Sequence, residues 1–126
     1  MVRKPKDVTD AELAVMQVLW MRESATIREI TDRIYPAGTA SDYATVKKLL
    51  ARLEEKTLVH RDASDTAHVF TATITQDDLI TRRLRDVAED FCDGSHTPLL
   101  MNLLKNTKYS TREREQLQNL FNELFK

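Results

Sequence analysis

Three cations stand together where their spacing suits nucleic-acid chemistry. Lys47, Lys48 and Arg52 lie in the run Ser41-Asp-Tyr-Ala-Thr-Val-Lys-Lys-Leu-Leu-Ala-Arg-Leu-Glu-Glu-Lys56. In this run Val46, Leu49, Leu50 and Leu53 fall at i, i+3, i+4 and i+7, the apolar stripe of an amphipathic helix. The opposite face then presents Ser41, Ala44, Thr45, Lys47, Lys48, Ala51 and Arg52. Small side chains let a helix backbone approach base edges. Arg52 can donate two hydrogen bonds to guanine, and Lys48 can reach guanine or phosphate. Thr45 is expected in the first turn, where groove-reading helices meet bases or phosphates. The competing reading is an ordinary solvated face, because Lys and Arg are common on any exposed helix.

Other chemistry is sparse. His60, His68 and His96 are scattered, and the single cysteine, Cys92, has no partner at ligand spacing. Glu89-Asp90-Cys92-Asp93-His96 can be drawn as a metal cluster. It reads better as a helix end with solvated acids and a buried or half-buried thiol. No Gly-rich phosphate loop is present, and no Ser/His/Asp order suggests a nucleophile. The expectation is no enzyme, no metal and no cofactor.

The elements that must position the basic face come on either side of it. Thr9-Asp-Ala-Glu12 is a capping box at a helix start, followed by Leu13, Met16, Val18, Leu19 and Trp20. Thr26-Ile-Arg-Glu29 is a second box. It opens a shorter helix with Ile27, Ile30 and Ile34 that stops at Pro36. Pro36 to Ala40 is a turn, and Ser41 or Asp42 is expected to cap a third helix over residues 42–56. Leu58-Val59 and Val69-Phe70 then read as paired strands, with residues 62–67 at the hairpin tip. The order is α-α-α-β-β, a winged helix-turn-helix.

At this point the residues resemble a family. Val8-Thr-Asp-Ala-Glu-Leu-Ala-Val-Met-Gln-Val-Leu-Trp20 is similar to the opening of the penicillinase repressors, the BlaI/MecI/CopY type. Tyr43-Ala-Thr-Val46, Leu49-Leu-Ala-Arg-Leu53, Glu55-Lys56 and Leu58-Val59 resemble that family's third helix and first strand. The resemblance covers nearly the whole chain. It implies a homodimeric bacterial repressor on palindromic operator DNA, released when a protease or a metal signal inactivates it. Three places depart from the family pattern. Thr57 stands where a Gly usually follows the third helix. The wing tip, Asp62-Ala-Ser-Asp-Thr-Ala67, has two carboxylates and no Gly, so it should add little phosphate affinity unless His60, Arg61 or His68 reaches the DNA. The paired Cys-x-Cys of copper-responsive members is missing from Asn-Glu-Leu-Phe-Lys126.

Composition sets bounds on this reading. Among 126 residues, two Gly, three Pro and 31% charged residues suit a mainly helical protein. No segment approaches the length of a membrane span and no signal peptide is visible; with one cysteine, this suggests a reducing cytoplasm. Net charge is -1. Residues 1–75 carry equal numbers of basic and acidic side chains, so recognition depends on placement. Lys47, Lys48, Arg52, Lys56 and Arg61 form the expected basic patch, offset by Glu54 and Glu55. Arg3, Lys4 and Lys6 form a basic tail that reads as solvated, with phosphate contact as the other possibility.

The fold expected is therefore mainly α: a winged-helix domain over 1–75, then a helical dimerisation domain over 76–126. Thr75 caps a helix whose Ile80, Leu84, Val87 and Phe91 line one face, ending near Asp93-Gly94. After Pro98 comes an apolar run that includes Leu100 and Leu103. Ser110-Thr-Arg-Glu113 boxes a last helix bearing Leu117, Leu120, Phe121 and Leu124. Three such helices expose too much apolar surface for a stable monomer, and a symmetric homodimer is the economical solution. The alternative is packing within one chain. Proteolytically regulated members of the family resemble one another around an Asn before a large apolar residue. By that resemblance Asn102–Leu103 is the candidate cleavage site and a sensor metalloprotease a further partner, although the family commonly has Phe where Leu103 stands. The bland reading of Asn102 is a surface position between leucines. The competing function is a winged-helix module that binds proteins and never DNA.

Overall fold

Four helix starts share one local chemistry. In the computed structural model, which describes residues 8–126, Thr9, Thr26, Thr39 and Ser110 are N-caps whose hydroxyls each accept from an amide three residues on. The acidic side chain at that third position accepts the cap residue's own amide in return. Glu12, Glu29 and Glu113 do this as the S/T-x-x-E pattern predicts. The helices so started are α1 (Asp10–Arg22), α2 (Ile27–Ile34), α3 (Ala40–Glu55) and α6 (Thr111–Leu124). The start of α3 corrects the sequence reading. Thr39, and neither Ser41 nor Asp42, is its cap, and Asp42 closes the box from the third position at 3.2 Å. Thr45 consequently lies in the second turn of α3.

Between these helices lies a small sheet. Strand β2 (Val59–Asp62) pairs antiparallel with β3 (Val69–Ala72), with Val59 opposite Ala72 and Asp62 opposite Val69. β3 runs two residues past Val69-Phe70, whereas β2 starts one residue later than Leu58 and runs three past Val59, taking in Asp62, which was expected at the hairpin tip. A third strand, β1 (Ala25–Thr26), pairs with β3 on its other edge, giving the order β1-β3-β2. The sequence reading has no strand there. Two residues cannot show a period of two, and Thr26 is already committed as the cap of α2.

The core is the junction of α1, α2, α3 and the sheet. Val15, Met16, Leu19, Ile30, Val46, Leu50, Leu53 and Leu58 are sealed from solvent. Leu49 and Leu53 of the α3 stripe face inward as expected. Trp20 Nε1 donates to the Ile74 carbonyl at 2.8 Å, which ties α1 to the segment after β3. Thr57 adopts a φ of 63°, so the left-handed position a glycine usually fills is held by a β-branched residue. The turn keeps its geometry under strain. Two bonds brace it: Leu58 N–H to Leu53 O at 2.9 Å, and Thr73 Oγ1 to Thr57 O at 2.6 Å.

One polar contact runs through this core. Glu12 is fully buried and Lys56 half-buried, and Lys56 Nζ donates to both carboxylate oxygens at 2.8 and 2.9 Å. Lys56 therefore leaves the expected basic patch. Its side chain is turned inward to join the end of α3 to the start of α1.

The chain divides into two compact units, one ending at Ile80 and one over Thr81–Lys126. The division falls inside α4 (Gln76–Cys92). Thr75 Oγ1 accepts from the Asp78 amide at 3.1 Å at the start of this helix. At its end Asp93 and Gly94 both take positive φ, and the Gly94 amide donates back to Ala88 O at 2.9 Å. Helix α5 (Thr97–Asn106) has Pro98 near its start and no side-chain cap, and neither α5 nor α6 holds a buried residue. Among the described residues no helix is long and apolar enough to cross a membrane. The basic tail at Arg3, Lys4 and Lys6 lies outside the described residues.

The buried pair carries a pH dependence. Burial pushes the Glu12 carboxyl up, but hydrogen bonds from Lys56 and Thr9 outweigh it and hold the group below the ordinary glutamate range. A depressed folded pKa means stability that is complete above the unfolded value and is lost as pH falls through the folded one. Glu12→Gln removes the carboxylate charge that faces the Lys56 ammonium. It should cost about 2–4 kcal/mol at neutral pH, toward the low end for a broken buried pair because Lys56 can still reach water. In urea melts at neutral pH and below about pH 4, the gap between wild type and variant should shrink in acid.

Candidate nucleic-acid interface

Helix α3 buries Val46, Leu49, Leu50 and Leu53 and leaves the rest of its circumference to solvent. Ser41, Thr45, Lys48 and Arg52 follow at i, i+4, i+7 and i+11, one strip along the helix. Ala44, Lys47 and Ala51 follow at i, i+3 and i+7, the strip beside it. All seven are exposed. The outer face of α3 is thus lined by small residues, with three cations from its middle onward. The Thr45 hydroxyl donates to the Ser41 carbonyl at 3.0 Å, which leaves its oxygen able to accept.

Arg61 is placed differently. It is exposed on β2, but its Nε lies 3.3 Å from Glu54 Oε2 on the last turn of α3. Any phosphate that recruits Arg61 competes with this carboxylate. An exposed pair of this kind is worth at most about 1 kcal/mol, so the competition is winnable. Further out, Asp62 accepts the Ser64 amide at 2.9 Å. Hydrogen bonds from the Ser64 side chain and amide hold the Asp62 carboxyl below its ordinary value, so it is charged at neutral pH. With Asp65 exposed beside it, the wing tip is anionic. His60 is exposed on β2 and His68 is half-buried before β3.

The sequence reading passed over two residues at the other end of α3. Arg28, in the first turn of α2, stacks over the Tyr43 ring with its guanidinium carbon 5.1 Å from the ring centroid. Its Nη1 also donates to the Gly38 carbonyl at 3.3 Å. Tyr43 belongs to the apolar-polar boundary of α3 and Arg28 to an ordinary i,i+4 pair with Asp32, so neither stood out locally. Only the fold brings them together.

The apolar residues expected at a dimer interface are mostly open to solvent in the single chain. Ile80, Leu84, Val87, Phe91, Leu100, Leu103, Leu120, Phe121 and Leu124 are all exposed, and Leu117 is half-buried. Phe121 stacks on Phe125, with ring centroids 5.4 Å apart. Asn102 is exposed within α5, and its carbonyl accepts from Asn106 Nδ2 at 3.0 Å. The Leu103 carbonyl accepts from the Tyr109 hydroxyl at 2.9 Å. Cys92 is a half-buried free thiol. Among the described residues, no three of His, Cys, Asp and Glu group closely enough to hold a metal ion.

Comparison with known proteins agrees with this geometry. The sequence model for the penicillinase repressor matches residues 8–123. The chain is 26% identical to a penicillinase repressor of Staphylococcus aureus over 126 residues, covering 100% of this chain and 99% of the relative. It is also 26% identical to a penicillinase repressor of Bacillus licheniformis, covering 97% and 94% of the two. A methicillin resistance regulatory protein MecI from Mammaliicoccus sciuri is 23% identical over 98% of this chain and 99% of its own. Among solved structures, the DNA-binding domain of the repressor BlaI matches with a TM-score of 0.51 and 28% identity, over 61% of this chain and 93% of that one. With a winged helix at one end and full-length similarity throughout, the chain belongs to the penicillinase repressor family, a family of DNA-binding transcriptional repressors and not of enzymes.

Proposed function

We propose that this chain is a homodimeric repressor that reads a palindromic operator with α3 and is released by proteolysis within α5. The observation that carries the first part is the strip Ser41-Thr45-Lys48-Arg52, exposed along a helix whose other side is locked in the core. A helix held this way can enter a major groove without rearrangement. Ala44 and Ala51 permit close approach. Lys47 sits on the flank, where it meets phosphate, and Arg61 does so once it leaves Glu54. The likeness to a repressor's DNA-binding domain favours this over a winged-helix module that binds only proteins.

Arg52→Ala should cost about 1–3 kcal/mol of operator binding and relax sequence preference, as expected of a base contact. Lys47→Ala should weaken all sequences alike and flatten the salt dependence, as expected of a phosphate contact. Gel-shift titration against a selected duplex and a random duplex separates the two. Full operator affinity in Lys48→Ala/Arg52→Ala, with folding intact, would remove α3 from the groove.

Support for the dimer comes from where the exposed apolar side chains lie. Among the described residues, all the large exposed hydrophobics but Met21 belong to residues 80–125. A unit this small has too little interior to cover them alone, and a second copy offers a complementary apolar face under two-fold symmetry. Phe121→Glu tests this cleanly, since an exposed position tolerates Glu in the single chain. In a dimer interface the charge would be desolvated without a partner. Sedimentation should show monomers. A Phe121→Glu protein that still sediments as a dimer places the interface elsewhere.

The release step is proposed at Asn102–Leu103. Proteases bind extended chain, so α5 must open before it is cut. An uncapped ten-residue helix without a buried residue is suited to opening. Cutting there would separate α6 from the rest of the chain and weaken operator binding by mass action through the dimer. Mass spectrometry of protein from induced cells should find fragments ending at Asn102. Intact chains under full derepression would sink the mechanism.

A further inference from the structure

We propose that Arg28 is a positioning residue for operator discrimination, acting through Tyr43 and the turn at Gly38; this rests on the reading of α3 as the helix that enters the groove. Tyr43 is the fourth residue of α3, and its amide makes the first bond of the helix, to Thr39 O at 3.0 Å. The Arg28 guanidinium covers the ring of that residue and donates to the carbonyl of Gly38, just before the cap. One planar cation therefore holds both sides of the α2–α3 corner. Gly38 itself has a φ of 55°, and a Cβ there would stand 3.1 Å from Asp32 Oδ1 and 3.8 Å from Arg28 Nη1. The corner is closed against the α2 side chains, and Arg28 and Asp32 fill the space a larger residue would need. Lys56 fixes the far end of α3 through Glu12. Arg28 supplies the matching restraint at the near end, where small changes of angle swing Lys48 and Arg52 across base edges.

A lysine cannot replace it. An ammonium is a point charge without the plane that lies over a ring while its edge donates elsewhere. The role is therefore distinguishable from a phosphate contact, which needs only charge.

The test uses the full chain and two labelled duplexes of equal length, one selected from a random pool by the wild-type protein and one random. Arg28→Ala should lose about twofold to fivefold on the selected duplex, the factor that matches an exposed cation–π contact which binding must then restore. Its affinity for the random duplex and its salt slope should stay as in wild type. Arg28→Lys should not restore discrimination. Tyr43→Phe should behave as wild type, Tyr43→Ala should repeat the Arg28→Ala loss, and the double alanine variant should lose no more than either. Amide exchange at Tyr43 should be faster in Arg28→Ala without DNA, with global melting unchanged. Equal loss on both duplexes with a flatter salt slope and rescue by Lys would make Arg28 a phosphate contact and overturn the proposal. Wild-type discrimination or unchanged exchange in Arg28→Ala would overturn it as well. Arg52→Ala run alongside keeps the two ideas apart: if it retains discrimination, the reading of α3 fails, whatever Arg28 does.

Discussion

The contact on which the rest of the N-terminal unit depends is the buried meeting of Glu12 and Lys56. Glu12 does two jobs with one carboxylate. It closes the capping box of α1 on the Thr9 amide and receives the Lys56 ammonium on both oxygens. Helix α3 is thereby fastened to α1 at the point where its last turn gives way to the wing. Two residues later Leu58 enters the core, and the hairpin direction follows. A pair of this sort adds little net stability over a well-packed apolar pair, because both ions have left water. Its value is geometric. To keep its charge paired, the ammonium must stay within reach of both oxygens, which sets how far the end of α3 can move from the start of α1.

Fixing the end of α3 explains the strained turn that follows it. Thr57 sits at positive φ with no glycine to ease it, at a cost of about 1 kcal/mol or more for a residue with a Cβ. That conformation persists because its neighbours leave no alternative. Lys56 is held by Glu12, the Leu58 amide by Leu53 and the Thr57 carbonyl by Thr73. The family's glycine would make the turn cheap, but the surrounding bonds make it obligatory either way.

What could be read from sequence was what is local. The boxes at Thr9, Thr26 and Ser110 were legible because donor and acceptor lie three residues apart. The α3 stripe was legible because burial repeats with the helix. The box at Thr39 was missed because its fourth member is Asp, a shorter acid than the pattern names, and the cap was placed two or three residues late. Lys56 was misassigned for the opposite reason. Among Lys47, Lys48 and Arg52 it looks like one more surface cation, and its partner is 44 residues upstream. The Arg28–Tyr43 contact and strand β1 also exist only once the fold has closed. Distant pairings of single residues leave no periodic trace.

The charge distribution bears on how such a unit could hold DNA. The exposed strips of α3 offer three cations, while the wing tip offers two carboxylates and an Arg61 already engaged by Glu54. Electrostatic affinity grows with the number of phosphates neutralised, so one unit of this kind gains little from the backbone. If α3 reads the groove, most of the binding free energy would have to come from base edges, which are few along four turns of helix. Two units joined through residues 80–125 would change that arithmetic without any new contact. Once the first is bound, the second faces its half-site at high effective concentration. An anionic wing tip would then be no defect: in such a dimer it would keep a lone unit from lingering on random DNA and leave tight binding to depend on two half-sites and on the linkage between the copies.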